Sequence, residues 1–136
     1  MEIRNKISSQ DFYDMRKSVN WKNIKLNQLE KALNNTMIVI GIYEKNKIVA
    51  MGRLVGDYSC KAMLTDIIVK PEFQGKGYGK LIVTKILEQC KKNLNNGDKI
   101  CIEANPTTGN KEFYINCGLD YKPEKQDGVY IWIESL

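Results

Sequence analysis

Apolar residues recur along the 136-residue chain with two spacings, one typical of helices and one typical of strands. The helical spacing predicts four helices. The first follows a capping-box-like start at 8–11, and the second covers 26–33. The third runs from 78 to about 93 with Gly97 as its stop, and the fourth covers 108–117. β-rich runs predict strands over 2–7, 37–43, 48–55, 63–69, 99–103, 119–121 and 129–133. This order predicts a single α/β domain over residues 1–136, a mixed α+β fold whose central mixed sheet of about six to seven strands has helices on both faces.

The composition supports a globular domain, because 43% hydrophobic residues are enough for a packed core at this length. No apolar stretch approaches the roughly 20 residues that a membrane span requires. The first residues have no apolar signal core behind them. We therefore expect a cytoplasmic protein that does not associate with a membrane.

The charge pattern argues against a nucleic-acid-binding module. The chain has 21 Lys and Arg against 16 Asp and Glu, a formal net charge of +5. The lysines are spread from Lys6 to Lys125 among acids, and no basic run exceeds two residues. A clustered basic patch is the usual electrostatic footprint of nucleic-acid binding. An anionic ligand and ordinary surface solvation account for the excess better.

The absence of histidine excludes several chemistries at once. Ser-His-Asp and Cys-His catalysis, histidine general bases and histidine metal ligands all require that side chain. The four cysteines form no C-x-x-C pair, so we expect no metal site. Acid–base chemistry must come from Tyr, Asp, Glu, Lys or water.

A glycine-rich segment between a predicted strand and a predicted helix carries the clearest candidate site. Its residues are Gln74, Gly75, Lys76, Gly77, Tyr78, Gly79 and Lys80. Glycines at every second position leave backbone N–H groups uncovered, and the helix that follows adds its own unpaired N–H groups and positive dipole end. These features favour phosphate binding over a plain strand-to-helix turn. The spacing matches neither the G-x-x-x-x-G-K-[ST] loop nor the G-x-G-x-x-G fingerprint.

What the segment does match is Q/R-x-x-G-x-G/A, through Gln74, Gly77 and Gly79. The strand over 65–71 precedes this segment. Further along, the stretch 112–119 is similar to F-Y-x-x-x-G-F except for Leu119. Through these three segments the chain resembles the GNAT superfamily of acetyl-coenzyme A-dependent N-acetyltransferases. The resemblance covers residues 26–133. It implies that the loop holds the coenzyme A pyrophosphate. It also implies that the backbone of three strand residues pairs with the pantetheine arm: Ile67, Ile68 and Val69.

The same resemblance suggests roles for several side chains. Tyr114 is expected to act as general acid near the sulfur, with a core aromatic as the alternative. Asp66 is the first candidate for activating the amine through water, while pairing with Arg53 or capping backbone N–H groups is the alternative. Asn110 would bond the pantetheine arm or cap a helix. The candidates for the acceptor pocket are Trp21, Tyr58 and Tyr130, and for each the alternative is simple packing. Glu103 and Asp57 are weaker candidates for the general base.

The predicted function is transfer of an acetyl group from acetyl-coenzyme A to a primary amine by direct attack in a ternary complex. The acceptor stays open among polyamines, amino sugars, amino acids, aminoglycosides and protein amines. The alternative is a non-catalytic acyl-coenzyme A sensor, which Tyr114 argues against. Exposed strand edges make a homodimer possible.

Overall fold

Seven strands form one mixed sheet in the part of the chain that the structure describes, a computed structural model covering residues 1–105, 110–122 and 128–135. The elements are β1 (Glu2–Arg4), α1 (Ser9–Ser18), α2 (Leu26–Asn34), β2 (Ile38–Glu44), β3 (Lys47–Gly56), β4 (Lys61–Val69), α3 (Tyr78–Asn93), β5 (Lys99–Ala104), α4 (Lys111–Asn116), β6 (Asp120–Lys122) and β7 (Gly128–Glu134). The strand order is β1-β2-β3-β4-β5-β7-β6. Only β4 and β5 pair in parallel.

Helices cover both faces of this sheet, and each layer encloses its own apolar core. On one face α3 contributes Ile82 and Ile86 to a cluster with residues of β2 to β5 and β7. On the other face Phe12 and Met15 of α1 pack with Leu29 of α2. The predicted mixed fold with flanking helices is therefore confirmed. No helix within the described ranges combines the length and the apolar character needed to span a bilayer.

Local signals in the sequence explain most of the element boundaries. The Ser8 hydroxyl accepts a hydrogen bond from Asp11 N at 3.0 Å and so caps α1 as predicted. Lys45 and Asn46 both have positive φ, which is the geometry of a two-residue turn whose twist matches the β2–β3 hairpin. The strands predicted over 37–43 and 48–55 are confirmed as the two arms of this hairpin.

Several predicted boundaries differ from the structure. The first strand ends at Arg4 rather than at residue 7, because Ile7 leaves the sheet and buries its side chain against Gly41. The third helix ends at Asn93 with an extended cap at Leu94, so Gly97 belongs to the turn before β5 and is not the stop. The last helix begins at Lys111, whereas the predicted start at 108 lies outside the described residues.

The strands β4 and β5 diverge, and this divergence positions the candidate site. They pair only at Lys61 with Cys101, Ala62 with Ile102 and Met63 with Glu103. Beyond these pairs β4 continues to Val69 beside β3 alone. A β-bulge at Asp66, which has φ +53°, shifts the β3–β4 register at this point. The result is a cleft between the second half of β4 and the chain that follows β5.

Candidate active site

The glycine loop after β4 presents an uninterrupted row of backbone donors. Gly75 and Gly77 have φ of +79° and +86°, which favours glycine, and an added Cβ at either position would meet open space. Among the described residues, no acceptor receives a hydrogen bond from the N–H groups of 75–80. The first N–H that is used belongs to Leu81, which donates to Gly77 O at 3.1 Å. The loop and the start of α3 therefore offer donors suited to an anion.

Three contacts fix the shape of the loop. The Gln74 side-chain amide donates to Val69 O at 3.0 Å, which ties the loop to the end of β4. The Tyr78 hydroxyl donates to the Glu44 carboxylate at the end of β2, and this hydrogen bond raises the pKa of Tyr78. A Cβ at Gly79 would lie 3.2 Å from two ring atoms of Phe113, so any larger residue would require the ring to shift by a few tenths of an ångström. The donors are thus preorganised.

Two adjoining cavities occupy the cleft between β4 and β5. One, of about 290 Å³, lies on the loop side and is lined by Ile67, Val69, Gln74, Gly79, Asn110, Phe113 and Tyr114. The other, of about 250 Å³, is lined by Trp21, Met63, Leu64, Thr65, Asp66, Ile67, Asn105, Asn110 and Tyr114. Both include Ile67, Asn110 and Tyr114. These three residues therefore lie where the cavities meet. A larger cavity, of about 570 Å³, is separate from these two. Its lining includes Asp14, Lys17 and Lys70 and no residue of the glycine loop.

Tyr114 is a buried phenol at this junction. Its ring contacts Phe113 edge-on, with ring centroids 5.0 Å apart and an interplanar angle of 79°. Burial raises the pKa of Tyr114, and the neighbouring Cys117 raises it further. The side chain is therefore a neutral hydrogen-bond donor at physiological pH.

Asp66 holds two guanidinium groups beside the second cavity. Its Oδ2 accepts from Arg53 Nε and Nη2, both at 2.8 Å, and its Oδ1 accepts from Arg16 Nη1 at 3.2 Å. The pairing with Arg53, which the sequence leaves open, is present. Asp66 is also the single charged residue in the buried class among those described. Both carboxylate oxygens are thus already used.

The remaining residues predicted to bind the cofactor lie partly in the cleft and partly in the core. Ile67 and Val69 line the loop-side cavity, whereas the bulge turns Ile68 into the opposite core beneath α1. Asn110 lines both cavities at the N-terminus of α4, where its side chain makes no capping hydrogen bond. Lys76 and Lys80 are exposed beside the loop, and Lys76 Nζ lies 5.1 Å from the centroid of the Phe73 ring.

The three residues predicted to form the acceptor pocket do not all line the same cavity. Trp21 lines the second cavity. Tyr58 instead lines a separate cavity of about 200 Å³ near Cys90, and its hydroxyl donates to Thr36 O at 3.1 Å. Tyr130 lies on β7 opposite Glu103 and is not among the residues that line either cavity of the cleft.

The two weaker candidates for the base have structural partners. Glu103 pairs with Lys61 at 2.6 Å. Asp57 accepts hydrogen bonds from the N–H groups of Ser59, Cys60 and Lys61, which lower its pKa. Neither residue lines the cleft cavities.

Two residues of the site receive no role from the sequence analysis. Arg16 reaches Asp66 from α1, 50 residues away in sequence, and also donates to Lys22 O at 3.1 Å. Asn105 lines the second cavity at the end of β5. No local pattern marks either residue, because both act through tertiary contacts.

The fold is that of known acetyltransferases. A probable acetyltransferase from methicillin-resistant Staphylococcus aureus, SA2161, superposes with a TM-score of 0.81 at 22% identity, covering 96% of this chain and 97% of that one. The PaiA N-acetyltransferase of Thermoplasma acidophilum, solved in complex with coenzyme A, superposes with a TM-score of 0.68 at 16% identity, covering 98% and 99%.

The chain itself belongs to the acetyltransferase (GNAT) family, whose family model matches residues 4–119. An uncharacterized N-acetyltransferase of Pyropia yezoensis, ycf52, is 30% identical over 117 residues, which is 83% of this chain and 65% of that protein. The chain spans about half to two thirds of the length of the curated relatives that it matches first.

Proposed function

We propose that this protein is an acetyl-coenzyme A-dependent N-acetyltransferase that transfers the acetyl group to a primary amine in a ternary complex. The observation that carries the proposal is the row of unused N–H groups over residues 75–80 beside a cleft that ends at Tyr114. A diphosphate suits those donors, and a pantetheine arm suits the adjoining edge of β4, which β5 leaves unpaired. The family of the chain is consistent with both.

The carrier would be bound mainly by backbone groups. The pyrophosphate would lie against the loop and the first turn of α3, with Lys76 and Lys80 adding positive charge at its rim. The pantetheine amides would pair with the β4 backbone between Ile67 and Val69, where β5 no longer provides a partner. Asn110, which lines both cavities, can bond the same arm.

Transfer is a direct displacement at the thioester carbonyl. The amine nitrogen forms a bond to the carbonyl carbon, the carbon–sulfur bond breaks, and the nitrogen loses a proton to water. Tyr114 donates a hydrogen bond to the departing sulfur. A simple thiol has a pKa of about 8.5 and a phenol about 10. Since burial raises the pKa of Tyr114 further, a strong hydrogen bond describes its role better than complete proton transfer.

Asp66 suits a general base less well than the sequence suggests. Both oxygens already accept hydrogen bonds from guanidinium groups, so a proton received from water would weaken the ion pairs with Arg16 and Arg53. We therefore assign Asp66 to holding Arg16 and Arg53 beside the acceptor cavity.

The acceptor would enter the cavity of about 250 Å³ between Trp21 and Asn105. That space fits a small amine, or an amine at the end of a longer molecule, so the classes named from the sequence remain candidates. A cytoplasmic location, the absence of nucleic-acid and membrane partners and a possible homodimer remain predictions.

Calorimetric titration with coenzyme A tests the binding half of the proposal. Replacing Gly77 with Ala strains the loop at φ +86°, and Gly97→Ala introduces comparable strain at φ +88° away from it. We expect Gly77→Ala to weaken coenzyme A binding about tenfold or more, while Gly97→Ala leaves binding unchanged. Equal effects of the two variants would contradict the assignment of the loop.

A screen of primary amines with acetyl-coenzyme A tests the catalytic half of the proposal. The release of free thiol is the quantity monitored. At least one amine is expected to accelerate thiol release above the rate of hydrolysis. Tight binding of coenzyme A with no turnover across polyamines, amino sugars, amino acids, aminoglycosides and peptides would instead support the acyl-coenzyme A sensor.

A further inference from the structure

The β-bulge in β4 decides which side chains face the cleft. In the pairing with β3, Asp66 and Ile67 together lie opposite the single residue Gly52. Before the bulge Leu64 faces the core under α3, whereas after it Ile67 packs toward that core and Ile68 enters the core under α1. Because side chains alternate along a strand, a regular β4 would exchange the faces of these two isoleucines. The bulge is therefore the reason that Ile67 lines the loop-side cavity.

Asp66 adopts a conformation that needs support from the rest of the chain. Its φ of +53° lies in the left-handed region, which is unfavourable for an L-residue, although aspartate tolerates it better than most. Its carboxylate is also buried, and a buried charge is costly without partners. Contacts from other elements must therefore stabilise both the charge and the bulge.

Arg53 and Arg16 provide these contacts from two other elements. From β3, Arg53 Nε donates to Oδ2 of Asp66 and Nη2 lies beside the same oxygen, both at 2.8 Å. From α1, Arg16 Nη1 donates to Oδ1 at 3.2 Å. The two arginine side chains are only 13% and 15% exposed. The carboxylate is thus held from two directions, which restrains the backbone that carries it.

Both arginines are themselves anchored to the helical layer. Arg53 Nη1 donates to the Thr36 hydroxyl at 2.9 Å and to the Ala32 carbonyl oxygen at 3.4 Å, at the C-terminal end of α2. Arg16 Nη2 donates to Lys22 O at 3.1 Å, in the connection between α1 and α2. A guanidinium suits such bridging because its donors point in several fixed directions. The bulge is therefore tied to the layer of α1 and α2.

We propose that Arg53 and Arg16 are positioning residues for carrier binding. Through Asp66 they hold the bulge that turns Ile67 toward the carrier and leaves the adjoining β4 backbone open to the pantetheine arm. This inference rests on the proposed function. Neither arginine lines the two cavities of the cleft, so neither is expected to touch the carrier. Their effect should be confined to the arm, because the donors for the diphosphate lie in the loop beyond the end of β4.

Titration of Arg53→Gln with two ligands tests this role. One is coenzyme A, and the other is ADP, which carries a diphosphate without the pantetheine arm. We expect coenzyme A binding to weaken about tenfold, the loss expected for one or two hydrogen bonds of the arm, while ADP binding stays unchanged. General damage to the fold would weaken both ligands. Equal losses for the two ligands, or no loss for either, would overturn the proposal.

A methyl contact reports the bulge without any ligand. The Ile67 δ1 and Ile82 γ2 methyl groups would lie 2.6 and 2.4 Å from a Cβ added to Gly52, so they are close enough to give a nuclear Overhauser effect in methyl-labelled protein. We expect this effect in the wild type and its loss in Arg53→Gln. Its persistence in Arg53→Gln would overturn the proposal.

The control is Tyr43→Phe, which removes a 2.7 Å hydrogen bond from the Tyr43 hydroxyl to Asp11 of α1, away from the bulge. It should keep both the methyl contact and the affinity for coenzyme A. A loss of affinity in this variant as large as in Arg53→Gln would show that any weakening of the α1 layer suffices, and would overturn the specific role of the arginines.

A variant at Asp66 tests whether Arg53 acts through the carboxylate. Asp66→Gly removes the carboxylate but adopts positive φ without steric cost. Adding Arg53→Gln to Asp66→Gly should therefore leave coenzyme A affinity unchanged. A further loss as large as in the wild-type background would overturn the proposal.

Two further outcomes are also decisive. If Arg53→Gln does not fold, Arg16→Gln replaces it, since it leaves Arg53 on the carboxylate. Weaker coenzyme A binding with unchanged ADP binding then supports the proposal, and unchanged coenzyme A binding overturns it. If coenzyme A does not bind the wild type, the proposed function fails. The methyl contact then decides alone whether the arginines hold the bulge, its loss supporting that role and its persistence overturning it.

Discussion

Tyr114 is the residue on which the proposed catalysis depends most, through its phenol group. It is buried where the two cavities meet, and its nearest aromatic neighbour holds it edge-on. We expect Tyr114→Phe to lower kcat about 100-fold, since removing one hydrogen-bond donor that stabilises developing negative charge typically costs roughly that much. Affinity for coenzyme A should change less than twofold. Tyr58→Phe, in a separate cavity, is the control, and an unchanged kcat for Tyr114→Phe would remove the phenol from the mechanism.

The alkaline pH dependence follows from the same residue. The protonated phenol is the active form, and its raised pKa keeps it protonated to higher pH than an ordinary tyrosine. Activity should therefore persist above about pH 10, the ordinary midpoint, and fall only beyond it. The measurement is a kcat profile with saturating amine. An alkaline loss centred below pH 10 in the wild type, absent in Tyr114→Phe, would show that the phenol is not held as described.

At the scale of elements, periodicity predicts the helices and strands that local signals specify. The helix over 78–93 and the hairpin before β4 follow from apolar spacing and turn residues. The bulge at Asp66 could not be predicted, because its positive φ is stabilised by arginines on α1 and β3. Nor could the position of β7 between β5 and β6, which depends on pairing across the sheet.

The close approach of α3 to α4 couples the loop to Tyr114, the proposed catalytic residue. Gly79→Ala places a methyl group against the Phe113 ring, and Phe113 supports Tyr114. We expect kcat to fall several-fold while the free energy of unfolding changes by no more than about 1 kcal/mol, because alanine also favours the helix.

Adding Phe113→Leu removes the ring atoms that meet the new methyl group, so the double variant should lose less rate than the two single variants combined. A rate unaffected by Gly79→Ala would indicate that the two helices are not coupled in this way.

For the whole molecule, carrier binding should stabilise the fold because the loop joins β4, which packs into both cores, to α3, which packs into one of them. Coenzyme A at about 100 times its Kd contributes about 2.7 kcal/mol. For a chain of this size we expect Tm to rise by about 10 °C. Differential scanning fluorimetry measures this shift. Gly77→Ala at the same ligand concentration should lose most of it, and an equal rise in that variant would place the carrier elsewhere.

The central claim is that backbone N–H groups of the glycine loop bind the diphosphate of the carrier. The most direct measurement compares 15N amide spectra with coenzyme A and with pantetheine, which lacks the diphosphate. We predict that coenzyme A shifts the amide resonances of Gly75, Gly77 and Gly79, whereas pantetheine shifts β4 resonances and leaves these glycines unchanged. Coenzyme A binding that leaves the three glycine amides unmoved would contradict the account.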